Sequence, residues 1–490
     1  MKCYFWETPS LPFMLKKNRP LLLQISCLFF ICLLILSGCK SGYPDYDEIN
    51  SGTNFSGRDG HPEIRLSAIG LFNEESEPGI NVSLDVVYGS LIYKSLNEQY
   101  ISNIALELQV KNEATNAMVF SKMYELEVEN PEPGATYNDD TFNFSQRVLV
   151  GSGQYLVTCI ITDLSSQKES IQQAKVYIPN RDDEHPNLTN IILLSKQAQD
   201  TTFQTVSSYY VSNEQDSLKF LFQVTNNNEG KRVNISSELL SFPTDTLSAR
   251  PLSWNNLTRS SMQFKGIDYT RPESLQKTRR VITQGGSVLV EFVVPKLNRG
   301  NYRFSVSVAD STGDEILKAR DFGVRSANYP SVKNIYELRE PLIYIMPEKE
   351  YKNLMKIKSP DSIKRAIDFF WLKNIERTNK AKNVLTMYYE RVEQANKLFG
   401  NWKEGWKTDM GMVYILFGSP WYVDRNIDNM FWSYTYNRSD PELNFVFDRI
   451  LPGQPYYPFE NYIFRRNRNY YQIEYNQIDI WLSGLVLQGR

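Results

Sequence analysis

The sequence predicts a multidomain chain, mainly β and then α+β, with two tandem antiparallel β-sandwiches followed by a C-terminal α+β domain. Three observations predict it. From about Pro62 to Val324, short runs alternate apolar and polar residues between turn-prone clusters, with no convincing helical period. One segment near the end of the first half of that stretch recurs near the end of the second. After about Ser326 the apolar spacing changes to that of helices before strands return.

Composition sets the bounds. At 490 residues the chain has room for two to four domains, and 41% hydrophobic with 22% charged residues is ordinary for globular protein. Aromatics reach 13%, and 30 of them are Tyr, which suits half-buried sheets because the ring packs while the hydroxyl stays wet. A formal net charge of -2 gives no basic footprint for nucleic acid, and none is expected as a partner. The last third leans mildly basic.

The elements follow in order. Lys16, Lys17 and Arg19 precede a largely apolar run from Leu21 to Leu36, and Leu36-Ser37-Gly38-Cys39 closes it. A basic segment, a short apolar core and small residues before a cysteine resemble the lipobox of bacterial lipoproteins. The resemblance implies a signal peptide over residues 1–38, cleavage before Cys39, and lipid (diacylglycerol and palmitate) on the Cys39 thiol. The apolar run, about 16 residues, is short against the roughly 20 of a spanning helix. Residues 1–13 do not look like the start of such a segment whereas Met14-Leu-Lys-Lys-Asn-Arg19 does, so translation is expected to start at Met14. Lys40, not an aspartate, follows the cysteine, and by analogy with lipoprotein sorting this favours the outer membrane; periplasmic or surface-facing display stays open. Residues 39–61, rich in Gly, Ser, Asp and Asn, read as a flexible tether.

The cysteines fit this scheme. Cys3, Cys27 and Cys32 fall in or before the apolar run, so the mature chain keeps Cys39 and Cys159 alone. A lipidated Cys39 forms no disulfide, and no cysteine zinc site exists. Cys159 shares a strand face with Val157 and Ile161 and is expected to be a buried free thiol.

The first sandwich is placed at 62–183. Ile104, Leu106, Leu108 and Val110 share one strand face, and turn-prone Asn130-Pro-Glu-Pro-Gly134 separates runs. The second is placed at 184–327. Gly153-Gln-Tyr-Leu-Val-Thr-Cys-Ile-Ile-Thr-Asp163 aligns without a gap on Gly300-Asn-Tyr-Arg-Phe-Ser-Val-Ser-Val-Ala-Asp310. Each is preceded by an apolar run, Phe144–Val150 and Val288–Val294. The α+β domain is placed at 328–490. Ser359-Pro360-Asp361 opens a helix carrying Ile363, Ile367, Phe370, Trp371 and Ile375. A second helix from about Asn383 to Phe399 shows Leu385, Tyr388, Tyr389, Val392, Ala395 and Phe399 as its stripe, with Gly400 as its stop. Strands are expected at Val413–Phe417, Met430–Tyr436 and Leu443–Phe447, with an aromatic and basic tail closing the chain.

One motif stands out in this last domain. Gly405-Trp406-Lys407-Thr408-Asp409, followed by Gly411-Met-Val-Tyr-Ile-Leu-Phe-Gly418-Ser-Pro420, resembles the GWxTD domain of bacterial envelope lipoproteins over roughly residues 335–490. The resemblance implies a lipoprotein setting and an α+β module. It brings no reaction, ligand or cofactor. Taken residue by residue, the motif reads as structural: Gly405 turns without a side-chain clash, and Trp406 drops its ring into a helix–sheet core. Thr408 and Asp409 accept backbone N–H groups in the turn before a strand, while Gly418 and Pro420 set the exit. The functional version makes Asp409 an acid, base or metal ligand.

The chain's two histidines, His61 and His185, precede this domain, which has no cysteine either. Ser–His–Asp, Cys–His and His-rich metal chemistry are therefore excluded there. Carboxylate chemistry drawing on Asp409, Asp424, Asp428 and Asp448 stays open. Arg465, Arg466 and Arg468 among tyrosines read as a solvated hairpin tip, with a grip on an acidic partner, lipid headgroup or glycan as the functional version. The reading that best fits is a membrane-anchored, non-catalytic binding or scaffold component of an outer-membrane protein assembly, attached to lipid through Cys39. The alternative is an envelope enzyme or glycan-binding protein using C-terminal carboxylates and aromatics.

Overall fold

The computed structural model describes residues 45–46, 61–96, 99–130, 141–198, 200–211, 215–254, 266–310, 315–435, 443–450 and 459–488. Met14, Cys39, the signal segment and most of the expected tether lie outside the described residues. The tether's described pair, Asp45–Tyr46, runs parallel to Lys318–Ala319.

Period-two alternation becomes strand wherever it was read. In the first half β1 (Ile64–Phe72), β2 (Pro78–Val87), β3 (Gln99–Asn112), β4 (Met118–Asn130), β5 (Thr141–Leu149), β6 (Gly153–Asp163) and β7 (Lys168–Ile178) form two sheets. Their orders are β1-β2-β5 and β4-β3-β6-β7, with antiparallel pairing throughout. Ile104, Leu106, Leu108 and Val110 lie in one core with Ile80, Val82 and Leu84 of the facing sheet. Burying a side chain of this size stabilises by about 1.5–3 kcal/mol, which is why one face of each strand is apolar.

The second half repeats this plan strand for strand. Here β8 (Ile192–Gln197), β9 (Gln215–Asn226), β10 (Val233–Phe242), β11 (Glu273–Ile282), β12 (Gly286–Pro295), β13 (Gly300–Ala309) and β14 (Glu315–Val324) pair as β8-β9-β12 and β11-β10-β13-β14. Phe220 of one sheet stacks on Phe304 of the other with ring centroids 4.1 Å apart. Cys159 occupies the place of Val306; both are fully buried, and burial pushes the thiol up to about 12. Maleimide treatment of the folded chain at neutral pH should therefore leave Cys159 unmodified, and denaturation should expose it, as peptide mapping will report.

The recurring Gly-x-Tyr has a specific job. Tyr155 near the start of β6 donates its hydroxyl to Gly151 O at 2.9 Å, and Tyr302 near the start of β13 donates to Asn298 O at 2.7 Å. This back-bond is the tyrosine corner of immunoglobulin-like sandwiches, pinning the crossover between sheets. Tyr155→Phe or Tyr302→Phe should each cost about 1 kcal/mol in chemical unfolding, the net value of one such bond. The shared terminal Asp also works: Asp163 accepts the N–H groups of Ser165 and Ser166 in the following turn and of Ile92 across the sheet edge.

The C-terminal domain combines α1 (Glu348–Lys356), α2 (Pro360–Asn374), α3 (Thr378–Phe399), α4 (Asp409–Phe417) and α5 (Tyr470–Leu482) with an antiparallel sheet. The sheet runs β15 (Tyr422–Arg425), β16 (Asn429–Ser433), β17 (Asn444–Ile450), β18 (Asn461–Phe464). Pro360 starts α2 as read, although the Ser359 side chain makes no capping bond. Gly400 ends α3 with φ -61, so the stop does not use the left-handed region.

One expectation is corrected. Val413–Phe417 is not a strand but the second half of α4, whose residues are buried from Met410 through Leu416. A helix buried all round loses the amphipathic period, and a short apolar run then reads equally as a core strand. The aromatic and basic tail, to which no element was assigned from sequence, forms β18 and α5, and α5 buries Gln477 and Trp481, one turn apart.

Candidate functional site

The site is built around α4. Gly405-Trp406-Lys407 make one tight turn, and Thr408 caps the helix: its hydroxyl accepts from Gly411 N–H at 3.0 Å and donates to Gly405 O at 2.7 Å. Gly405 lies flush against α3, where a methyl group would overlap Ala395 O. Gly411 lies flush against Gly405 O in the same way. Two glycines thus let turn, helix and neighbouring helix meet backbone to backbone. Trp406 is 3% exposed and meets Tyr344 edge-on at 6.0 Å. Its backbone N–H donates to Asn396 Oδ1 at 3.2 Å, and its backbone carbonyl accepts from the Tyr344 hydroxyl at 2.7 Å.

The far end of α4 is satisfied from three directions. Arg391 donates to Ile415 O and Leu416 O, and Gln477 and Trp481 both donate to Leu416 O. These donors replace the water that a buried helix end lacks. Gly418 then turns the chain at φ 85, and its carbonyl takes the Tyr434 hydroxyl at 2.7 Å. Pro420 lies half-buried beyond it.

Asp409 sits at the first position of α4, where a negative charge complements the helix dipole. Its partners come from elsewhere in the chain rather than from the turn itself. Arg466 donates Nη2 to Oδ1 and Nη1 to Oδ2, both at 2.6 Å, and Phe464 N–H adds a bond to Oδ2 at 2.8 Å. The two side chains are 12% and 2% exposed. Arg466 also donates to Arg250 O at 3.0 Å and Pro251 O at 3.2 Å, in the loop between β10 and β11. The signature aspartate therefore anchors an arginine that fastens the second sandwich to the α+β domain.

Other contacts close the same seam. Glu474 of α5 accepts from Leu252 N–H and from both N–H and hydroxyl of Ser253. Leu252, fully buried, belongs to the core of the α+β domain. Trp402 donates to Asp245 O at 2.9 Å, and Arg299 pairs with Glu404 at 2.7 Å. Beside them opens a cleft of about 210 Å³ whose walls include Tyr210, Asn301, Arg325, Tyr329 and Trp402. Burial in this region lowers the Lys403 ammonium below its ordinary range.

The remaining expected residues are dispersed. Arg466 is 8% exposed and is not part of a solvated tip; its neighbour Arg465 is exposed and pairs with Asp448, and Arg468 is exposed. Asp424 lies on β15 and Asp448 on β17, while the Asp428 carbonyl accepts Arg449 N–H. His61 contacts the Glu169 carbonyl and His185 faces Asp310, both in the sandwiches. Among the described residues no group of three or more His, Cys, Asp or Glu is placed to hold a metal ion. The Asp409–Arg466 pair was invisible to local reading because 57 residues separate its members. The available hint was an arginine flanked by Phe464 and Tyr470 in a run otherwise rich in apolar rings.

Fold and site together define a two-sandwich protein with a C-terminal α+β domain organised on a Gly-Trp-x-Thr-Asp turn. Residues 306–483 match the model of the GWxTD domain, so this part of the chain is a GWxTD domain. The match begins inside β13, upstream of the expected start near 335, so it takes in the last strand of the second sandwich as well. No curated protein matches the sequence. Solved structures that resemble parts of the chain include red sea bream transglutaminase, with 8% identity over 54% of this chain and 31% of that one, at a TM-score of 0.17. Native E. coli alpha-2-macroglobulin shows 14% identity over 56% and 16%, at 0.19. Fibronectin(III)-like modules of Clostridium thermocellum CbhA show 11% identity over 52% and 90%, at 0.14. The chain thus spans under a third of the first two.

Proposed function

We propose that the protein is a lipid-anchored component of the bacterial cell envelope that works by binding, as a scaffold within an outer-membrane protein assembly, and not by catalysis. Its amino-terminal lipobox-like sequence supports the address and the anchor at Cys39. The observation that carries the non-catalytic part is Asp409, whose two oxygens are occupied by a bidentate arginine and a backbone N–H. A carboxylate held this way is a structural anchor, with no oxygen turned toward a substrate. Sandwiches in tandem then serve as the arm that carries the α+β domain to its partner, a step taken by analogy of fold.

Labelled palmitate should enter the wild-type chain and fail to enter Cys39→Ser. The full chain, tagged at its C-terminus and isolated from cross-linked outer membranes, should bring a stoichiometric membrane protein with it. Recovery of the chain alone would refute the scaffold reading. A second reading, glycan binding, draws on the cleft at the domain seam, where Tyr210, Tyr329 and Trp402 offer ring faces beside Asn301 and Arg325. Glycan arrays probed with the full chain test it directly.

A further inference from the structure

The two sandwiches carry equivalent open edges of opposite charge, and we propose that these edges join one copy of the chain to the next. Among the described residues β4 pairs with β3 alone, and β11 with β10 alone. Both strands hold the same place in the shared seven-strand plan, at the rim of the larger sheet. Among the described residues, each leaves one row of backbone N–H and C=O groups without a strand partner, which is a template for β-addition.

Alternation fixes what each edge shows on its outer face. Along β4 the inner series includes Tyr124, whose ring meets Phe144 of the facing sheet at 4.9 Å, and buried Val128. The outer series is therefore Met123, Glu125, Glu127 and Glu129, all exposed. Along β11, Ile282 packs toward the core, so the outer series beyond the bulge at Leu275 is Lys277, Arg279 and Val281, also exposed. Lys277 reaches Glu238 of β10 at 3.1 Å on that same face. Among the described residues, Glu125, Glu127, Glu129 and Arg279 have no ion-pair partner.

These charges select the pairing. Two β4 edges would set glutamate against glutamate, and two β11 edges would set cation against cation. An antiparallel β4–β11 pair instead admits a register with Met123 opposite Val281, Glu125 opposite Arg279, and Glu127 opposite Lys277. Directly opposed side chains lie about 4.5–5.5 Å apart at Cβ, where opposite charges attract and like charges repel. Because donor and acceptor edges differ, the contact is head-to-tail and builds a ring where its rotation closes and an open chain where it does not. The proposal stands apart from the scaffold reading: a chain that binds no second protein still joins to itself.

The test uses the full chain in detergent, followed by sedimentation across concentration and salt. Wild type should form oligomers that grow with concentration and weaken with salt. Glu125→Arg with Glu127→Arg, or Lys277→Glu with Arg279→Glu, should each weaken association about tenfold or more. Mixed one to one, the two variants should associate again, since each edge then meets its opposite. Carbodiimide treatment of mixed light and heavy wild-type chains should link Glu127 to Lys277 between copies, a readout that needs no variant to fold. Purified wild type that stays monomeric at every concentration would overturn the proposal. So would variants that associate as wild type does, a mixture no stronger than its components, or no linkage between light and heavy chains.

Discussion

Gly411→Ala should destabilise the C-terminal domain by at least about 3 kcal/mol, enough to leave it largely unfolded in a chain of ordinary stability. The added methyl group would overlap the Gly405 carbonyl, and the atoms in the way are backbone. Neither side can yield cheaply. Gly405 is itself flush against Ala395 of α3, and α4 is held at its other end by Arg391, Gln477 and Trp481. Overpacking normally costs about 1–3 kcal/mol because side chains move aside, and this site offers no side chain to move. Unfolding of the full chain followed by Trp fluorescence reads the effect, since Trp371, Trp406, Trp432 and Trp481 all sit in this core. A control at Gly151, where a methyl group meets nothing, should change little.

Asp409→Ala should cost about 3–5 kcal/mol, the usual penalty for removing one partner of a buried ion pair. Arg466 would keep its charge at 8% exposure with only carbonyl oxygens left around it. The loss should spread beyond the helix. Arg466 holds Arg250 O and Pro251 O, so hydrogen exchange in the loop between β10 and β11 should speed up together with exchange at the start of α4. Removing both charges, as Asp409→Asn with Arg466→Gln, avoids the stranded cation and should cost markedly less than either single loss.

Much of this fold was legible in the residues. Ile104, Leu106, Leu108 and Val110 announced their strand by alternation alone, and all four are fully buried. The Gly-x-Tyr repeat announced two sandwiches on one plan, because a tyrosine corner needs its glycine-led crossover and its ring in fixed places. Trp371 and Tyr388 declared their helices by spacing, and they meet edge-on at 5.8 Å. What failed, failed for physical reasons. In α4 the run Met410 to Leu416 is buried on every side, so no polar face marks the helical period; the capping Thr408 and the terminating Gly418 were the residues that pointed to a helix. Helix α5 buries mainly Gln477 and Trp481, and its outward Tyr471 and Tyr475 blur the stripe. Arg466 looked like surface because charge usually is, and its burial depends on a carboxylate supplied by a distant segment.

That carboxylate decides between a protein that holds and a protein that reacts. The most direct measurement is the amount of cross-linked membrane partner recovered on full-length Asp409→Asn/Arg466→Gln chain, set against wild type at equal folded amount. If Asp409 is a structural anchor, the doubly neutral chain folds and captures its partner at the wild-type level. A folded double variant that loses the partner would contradict that account and place the Asp409 charge in the protein's function.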